Sequence, residues 1–269
     1  MNELARARGI GLGKIVEAKF DEIDVSEAMN ATDRAIKEAL GMDPDQDYDF
    51  SDGSKTENTR VSYPIYHINN IVKPVSKGAH PKTIIFLTCD AYGVLPPVSI
   101  LTKKQAMYQY LSGYTAKVAG TERGVDEPQA TFSPCFGGPF LTLHPYEYAK
   151  LLKEKMRKFN VPVYLVNTGW VGANANTGAK RISLPLTRKI IHRILDGAIE
   201  KEKFEKDRFF DFQIPLLLDD IDSSILNPRN SWAKEEDYNS AAEILVDKFK
   251  KNYAKYDLGD DEILNGGPK

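Results

Sequence analysis

Continuous apolar runs alternate with longer segments of helical periodicity along most of the chain. The runs at 82–88 and 161–166 have the length of strands, and their unbroken apolar character is typical of strands buried on both faces. Apolar residues three and four positions apart predict helices at 103–111, 145–159 and 184–195. Because strands and helices alternate, we predict an α/β fold in which helices flank a mixed, partly parallel sheet.

The remaining elements follow from weaker patterns. Apolar alternation predicts a strand at 61–68, a strand and turn region at 131–143, and a long covering strand at 204–218. An aromatic stripe at helical spacing between Tyr238 and Tyr256 predicts a closing helix that packs on the core. Thr102 is a typical residue to begin a helix and Asn160 a typical residue to end one.

Changes in composition divide the chain into three segments. Residues 1–45 form a charged leader in which we predict a short strand and a helix, residues 46–256 form the α/β domain, and residues 257–269 form a frayed tail. The glycines at 9–13 precede a lysine, but their spacing does not match a phosphate-binding P-loop, which needs Gly, four residues and then Gly-Lys-Ser/Thr. We therefore interpret them as a flexible turn.

Composition excludes several functional classes. With 42% hydrophobic and 28% charged residues, a net charge of −2 and a pI near 6.1, the chain has no basic field for nucleic acid or an anionic membrane. No apolar run approaches the roughly 20 residues of a membrane span. Cys89 and Cys135 lack the spacing of a zinc site and are predicted to be reduced core residues. We expect a cytoplasmic protein.

Polar loops follow the apolar strands, and ligands of α/β proteins gather at such strand ends. Asp90 could be a metal ligand or base, although a lone carboxylate is more often a capping or salt-bridge group, which we favour. The glycine-rich stretch 112–124 has the composition of a mobile functional loop or of an ordinary surface loop. Lys180 and Arg181, next to the start of a helix, form either an anion-binding site or simply a basic turn.

Arg60 stands where a polar, loop-like stretch meets the predicted strand at 61–68. The sheet would hold its guanidinium rigidly, and a planar guanidinium binds phosphate or carboxylate through two parallel hydrogen bonds. From position alone, a surface salt bridge is the more common role for such an arginine.

Several long motifs of the chain resemble hallmark segments of ATP-dependent phosphoenolpyruvate carboxykinase. They occur in the family's order over residues 49–256. The motifs are DGSKTENTRVSYP at 52–64, FLTCDAYGVLPPVS at 86–99, YTAKVAGTERG at 114–124, LVNTGW at 165–170 and KRIS at 180–183. The resemblance implies that 46–256 is similar to the C-terminal, ATP-binding domain of that enzyme.

The resemblance also implies a reaction and its cofactors. The family converts oxaloacetate and ATP to phosphoenolpyruvate, ADP and CO2 with Mg2+ and Mn2+, in gluconeogenesis. Arg60 resembles the catalytic, substrate-binding arginine that also contacts the transferred phosphate of ATP. The other residues that the resemblance assigns to ATP are Arg181, Ile182 and Thr187. The stretch 115–124 resembles a lid that excludes water, with Lys117, Thr121, Glu122 and Arg123 in it.

Other motifs of the family are not found in this sequence. Its P-loop, its metal ligands and its substrate-carboxylate arginine have no counterpart here, so the resemblance implies no metal ligand in this chain. One interpretation is a partial enzyme chain that works with an upstream half supplied elsewhere. The alternative is a non-catalytic nucleotide-binding or regulatory remnant of the family. A phosphate loop, encoded upstream or carried by a partner polypeptide, would distinguish the two.

Overall fold

A computed structural model describes residues 64–69, 71–73, 77–118, 124–218 and 221–269. The chain divides into two compact units, Met1–His80 and Pro81–Lys269. The predicted leader strand and helix and Arg60 lie outside the described residues.

In the first unit, the described segment around Pro64 differs from the predicted strand at 61–68. Ile65–His67 is a 3₁₀ helix, closed by a hydrogen bond of 3.1 Å from the Ile68 N–H to the Ile65 carbonyl. Proline fixes its own φ near −65° and has no N–H for a strand ladder, so Pro64 begins a turn instead. The strand prediction is wrong over 65–67, and residues 61–63 lie outside the described residues.

The second unit contains the α/β structure. In chain order its strands and α-helices are β1 (Ile84–Thr88), β2 (Val98–Leu101), α1 (Lys103–Ser112), β3 (Tyr114–Lys117), β4 (Gln129–Phe132), α2 (Pro145–Phe159), β5 (Val163–Asn167), β6 (Trp170–Val171), β7 (Lys180–Arg181), α3 (Leu184–Leu195), β8 (Phe204–Lys206), β9 (Gln213–Pro215), α4 (Ser223–Leu226), α5 (Glu235–Tyr253) and α6 (Asp261–Leu264).

Five of the described strands form one sheet in the order β1-β5-β2-β9-β8. β1 and β5 are parallel, with Ile84 opposite Val163 and Thr88 opposite Asn167. The other pairs, β5 with β2, β2 with β9 and β9 with β8, are antiparallel. The mixed, partly parallel sheet predicted from the sequence is therefore confirmed.

Both faces of the sheet are covered by helices. Phe86 and Leu165 point into one apolar cluster, which also contains Met107 of α1, Met156 of α2 and Phe249 of α5. The intervening residues of β1 and β5 point to the opposite face of the sheet. There they pack against α3 in a second apolar cluster. This second cluster includes Leu87, Tyr164, Val166, Ile190 and Ile194. Alternate residues thus enter separate cores, which confirms the prediction of strands buried on both sides.

The helix boundaries agree with the residues that predicted them. Thr102 and Gln105 form a reciprocal capping box at the start of α1. Asn160 ends α2 in the left-handed conformation with φ of 47°. The structure also shows no helix, within its described residues, that is both long and apolar enough to cross a membrane.

The segment 204–218 is two strands rather than one. β8 and β9 pair as a hairpin, and the Asp207 carboxylate accepts hydrogen bonds from the Phe209 and Phe210 N–H groups in the turn between them. The strand and turn predicted at 131–143 is correct only in its first residues. Pro134 and Pro139, which cannot donate to a ladder, lie in two 3₁₀ turns after β4.

The C-terminal segment is ordered, so the prediction of a frayed tail is wrong. Asp260 caps α6 by accepting hydrogen bonds from the Glu262 and Ile263 N–H groups, and the Ile263 side chain is buried in the core. Glu262 forms ion pairs with Lys153 and Arg157 of α2. This contact with α2 explains why the segment does not fray.

Candidate functional site

The carboxyl ends of β1 and β5 lie side by side because the two strands are parallel and in register up to Thr88 and Asn167. The loops that follow these strands are joined by backbone hydrogen bonds. The Thr168 N–H donates to Thr88 O (2.9 Å) and the Trp170 N–H donates to Asp90 O (2.9 Å). Ligands of open α/β sheets bind at such an edge, so the two joined loops are the candidate site.

Asp90 holds the loop after β1. Its side chain is fully buried, and its two oxygens accept hydrogen bonds of 2.7–2.8 Å from the N–H groups of Tyr92, Val94 and Leu95 and from the Tyr114 hydroxyl. Burial raises the pKa of Asp90, and these four hydrogen bonds oppose that rise. Because protein donors occupy both oxygens, the capping interpretation is supported over that of a metal ligand.

No group of three or more His, Cys, Asp or Glu side chains in the described part of the chain could hold a metal ion. The divalent metals that the resemblance implies therefore do not fit the described residues. We assign no metal ligand among them.

Asn167 joins the two loops from the other side. Its Oδ1 accepts hydrogen bonds from the Asp90 N–H (3.0 Å) and the Gly169 N–H (2.8 Å), and its Nδ2 donates to Leu95 O (2.9 Å). A Cβ placed on Gly169 would lie 2.2 Å from Asp90 O and 2.3 Å from Asp90 N. Only glycine permits this approach, so the loops after β1 and β5 form a single packed junction.

Arg181 lies on this junction. Its Nε donates to Thr168 O at 3.1 Å, its Nη2 lies 3.8 Å from Cys89 Sγ, and its guanidinium carbon lies 5.2 Å from the centre of the Trp170 ring. The pairing of Trp170 with Arg181 in the β6–β7 hairpin brings the indole and the guanidinium together. The cation is thus held in one orientation and partly buried before any ligand arrives.

Ile182 and Thr187 lie beside Arg181. The Ile182 N–H donates to Gly169 O at 2.8 Å, and both side chains are largely buried, with 7% and 8% exposure. The Thr187 hydroxyl donates to Ser183 O at 3.1 Å, which leaves its lone pairs as acceptors. The structure therefore brings three of the predicted ATP-binding residues to one edge of the sheet.

The start of α3 offers few N–H groups to an anion. Pro185 has no N–H, the Leu186 N–H donates to Ser183 Oγ at 3.3 Å, and the Thr187 N–H donates to Ser183 O at 3.0 Å. An anion-binding site needs several free N–H groups that point towards the anion. The basic-turn interpretation of Lys180 and Arg181 is therefore favoured.

The predicted lid begins as a strand. Residues 115–117 belong to β3, where Lys117 pairs with Gln129 of β4, so this part of the stretch is a strand and not an irregular loop. Thr88 Oγ1 donates to Tyr114 O, which fixes the first residue of this strand to the sheet. Thr121, Glu122 and Arg123 lie outside the described residues.

Sequence reasoning assigned no function to Tyr114, Asn167 or Trp170. Asn167 and Trp170 belong to the motif at 165–170, and Tyr114 begins the motif at 114–124, but the motifs assign no role to these three residues. The hydrogen bond between Tyr114 and Asp90 gave no signal, because the two residues are 24 positions apart in the sequence.

Comparisons with known proteins identify the family that the sequence motifs resemble. A family model described as phosphoenolpyruvate carboxykinase matches residues 15–224, so the match begins within the segment 1–45, upstream of the motifs at 49–256. Among curated proteins, the phosphoenolpyruvate carboxykinase (ATP) of Leptospira biflexa is 60% identical over 215 residues, which are 80% of this chain and 40% of that protein.

Two further relatives have the same printed name. That of Campylobacter jejuni subsp. doylei is 54% identical over 223 residues, which are 83% of this chain and 42% of the relative. That of Sulfurimonas denitrificans is 51% identical over 237 residues, which are 87% of this chain and 44% of the relative. The chain thus spans about 40% of the length of the curated relatives that it matches. The chain belongs to the ATP-dependent phosphoenolpyruvate carboxykinase family.

Proposed function

We propose that this chain provides the ATP-binding part of a phosphoenolpyruvate carboxykinase, which converts oxaloacetate and ATP to phosphoenolpyruvate, ADP and CO2. The observation that supports this most directly is the fixed guanidinium of Arg181, held by Thr168 O and the Trp170 ring at the carboxyl edge of the sheet. A planar cation in a set orientation is suited to stack on the adenine of ATP.

Ile182 and Thr187 would complete the base-binding surface. Ile182 supplies a largely buried apolar side chain next to Arg181. Thr187 keeps acceptor capacity on its hydroxyl, which suits the exocyclic amino group of adenine. Neither residue can move far, because Ile182 is bonded to the Gly169 carbonyl and Thr187 to the first turn of α3.

The roles proposed for the other residues concern the reacting groups. Arg60 would contact both the substrate and the transferred phosphate, where its charge stabilises the negative charge that develops on the phosphoryl group and the enolate. Lys117, Thr121, Glu122 and Arg123 would belong to the segment that excludes water. Since the metals do not fit the described residues, we derive no step through Mg2+ or Mn2+ here.

Replacement of Arg181 by alanine tests the ATP site. The variant loses the contact between cation and base but keeps the buried loop junction, so we expect ATP affinity to fall about tenfold, as a cation–π contact of 1–2 kcal/mol implies. Isothermal titration calorimetry measures the dissociation constant.

Arg193→Ala is the matched control. Arg193 pairs with Asp196 and lies about 13 Å along α3 from the start of the helix, so its loss should leave ATP affinity unchanged. Equal affinity in wild type and Arg181→Ala would remove Arg181 from the site, and equal weakening in both variants would indicate a non-specific charge effect.

A non-catalytic nucleotide-binding role is the second candidate. It is motivated by the described residues, among which no group of side chains could hold a metal ion. Both candidates require the same ATP site, so binding alone does not separate them.

Turnover separates the two candidates. We expect the purified 269-residue chain to show little or no formation of phosphoenolpyruvate from oxaloacetate and ATP, because phosphoryl transfer depends on a phosphate cradle and metal ligands. A coupled assay with Mg2+ and Mn2+ measures the rate. Activity restored by adding a polypeptide that carries a P-loop would establish the enzymatic role, while rapid turnover by the chain alone would contradict the expectation.

A further inference from the structure

Asp90 connects to the part of the site that contains Arg181. Its N–H donates to Asn167 Oδ1 at 3.0 Å, and its carbonyl accepts the Trp170 N–H at 2.9 Å. Thr168 and Trp170, which contact the Arg181 guanidinium, both belong to the loop that follows β5. The backbone of Asp90 is therefore tied to the support of Arg181.

The side chain of Asp90 connects in a second direction, to the hairpin of β3 and β4. The Tyr114 hydroxyl donates to Asp90 Oδ1 at 2.7 Å, and the Tyr114 carbonyl accepts the Thr88 hydroxyl at 2.7 Å. Tyr114 is the first residue of β3 and pairs with Phe132 of β4. Asp90 thus lies between the two parts of the molecule from which the resemblance assigns ATP-binding and lid residues.

The hydroxyl of Tyr114 is not needed for packing. The ring lies 5.2 Å from that of Phe132 and 5.0 Å from that of Phe249, and phenylalanine would make both contacts equally well. A buried hydroxyl is unfavourable unless it is hydrogen-bonded, and the Asp90 carboxylate is the partner that satisfies it. Burial, with the nearby Asp90, holds the pKa of Tyr114 well above its usual value, so the hydroxyl remains a donor.

We propose that Asp90 and Tyr114 are positioning residues that hold the β3–β4 hairpin in place against the edge of the sheet that presents Arg181. The bond between them orients the hairpin, while the Asp90 backbone independently supports the Arg181 loop. The relevance of this arrangement to catalysis rests on the proposed function, whereas the hydrogen bond between Asp90 and Tyr114 does not depend on it. Tyr114→Phe removes the hydrogen bond to Asp90 and keeps the ring contacts.

Hydrogen exchange followed by mass spectrometry tests the link in the full chain. Without ATP, we expect Tyr114→Phe to speed amide exchange in 114–117 and 129–132 about tenfold, since it removes a hydrogen bond to a charged group, and to change 180–187 by less than about twofold. Tyr164→Phe is the matched control. Its hydroxyl also donates to a carboxylate, Glu200, at 3.0 Å, but it lies in the other core cluster and should leave the hairpin unchanged.

ATP affinity provides the readout that a general loss of packing would not reproduce. We expect Tyr114→Phe to keep its dissociation constant for ATP within about twofold of wild type, whereas Arg181→Ala weakens binding and leaves hairpin exchange unchanged. Unchanged hairpin exchange in Tyr114→Phe overturns the inference, and so does faster exchange spread equally over 180–187. Failure of the wild type to bind ATP would overturn the proposed function, while the exchange experiment would still decide the link.

Discussion

Gly169→Ala is expected to destabilise the protein by more than about 4 kcal/mol, a size that single substitutions reach only through a specific steric or packing fault. The new Cβ would lie 2.2 Å from Asp90 O and 2.3 Å from Asp90 N. Both contacts are with backbone atoms, which cannot rotate away as a side chain would. The loops after β1 and β5 must therefore separate.

Separation of the loops would break several bonds at once. The hydrogen bonds from the Trp170 N–H to Asp90 O and from the Asp90 N–H to Asn167 Oδ1 both cross this junction. Since Arg181 is supported by the same loop, we also expect ATP binding to be lost in any fraction of the variant that folds.

Urea denaturation measures the first effect, and Gly78→Ala provides the control. A Cβ at Gly78 would have no atom within 4 Å, and the residue does not have a positive φ, so its replacement should change stability by less than about 0.5 kcal/mol. Gly169→Ala with wild-type stability would show that the two loops do not approach each other as closely as the structure describes.

The regular elements of the fold are predictable where several local signals agree. In α2 and α3, helical spacing of apolar residues coincides with Asn160 after one helix and Pro185 in the first turn of the other, and both helices have the predicted bounds. The parallel pairing of β1 with β5 follows from two apolar runs separated by helices.

Elements fixed by distant contacts are not predictable in this way. β2 has only four residues and follows two prolines, which is too short to show a period. The phenylalanines at 209–212 suggest a continuous strand, but they surround a turn because the Asp207 carboxylate binds the backbone there and the rings reach the core from the turn. The segment 257–269 is mostly polar, and its order depends on the buried Ile263 together with ion pairs to α2.

The candidate site was located mainly by resemblance. The resemblance groups Arg181, Ile182 and Thr187 as predicted ATP-binding residues, and in the structure all three follow the loop that leaves β5. No sequence pattern could connect Asp90 with Tyr114, whose hydrogen bond forms only when the end of β1 and the start of β3 meet in the folded chain. Such contacts between distant residues are the part of a site that local patterns do not contain.

Asp90→Asn is expected to destabilise the protein by about 2–3 kcal/mol, although asparagine has nearly the same shape and removes a buried charge. Both oxygens of Asp90 accept hydrogen bonds, Oδ1 from the Tyr92 N–H and the Tyr114 hydroxyl, and Oδ2 from the Val94 and Leu95 N–H groups. An asparagine amide must point its NH2 group at one of these pairs of donors. Facing Val94 and Leu95, it would leave two buried N–H groups without an acceptor.

The alternative orientation determines the expected size of the effect. With the NH2 group at the Oδ1 position, Tyr114 can reverse its hydroxyl and accept, but the Tyr92 N–H then loses its acceptor. One such group costs about 1–3 kcal/mol, and the remaining bonds lose the strength that the negative charge gave them. We expect these losses to exceed the gain from removing a buried charge, because four hydrogen-bond donors offset much of the cost of burying that charge in the wild type.

Asp222→Asn is the matched control in thermal and urea denaturation. Asp222 is exposed and caps α4 by accepting a hydrogen bond from the Ser224 N–H at 2.9 Å, and asparagine is an equally good N-cap. We therefore expect no measurable change in that variant. If Asp90→Asn were as stable as the wild type, the carboxylate would be neutral and hydrogen-bonded as an acid in the native protein, and its role in holding the loop after β1 would not depend on charge.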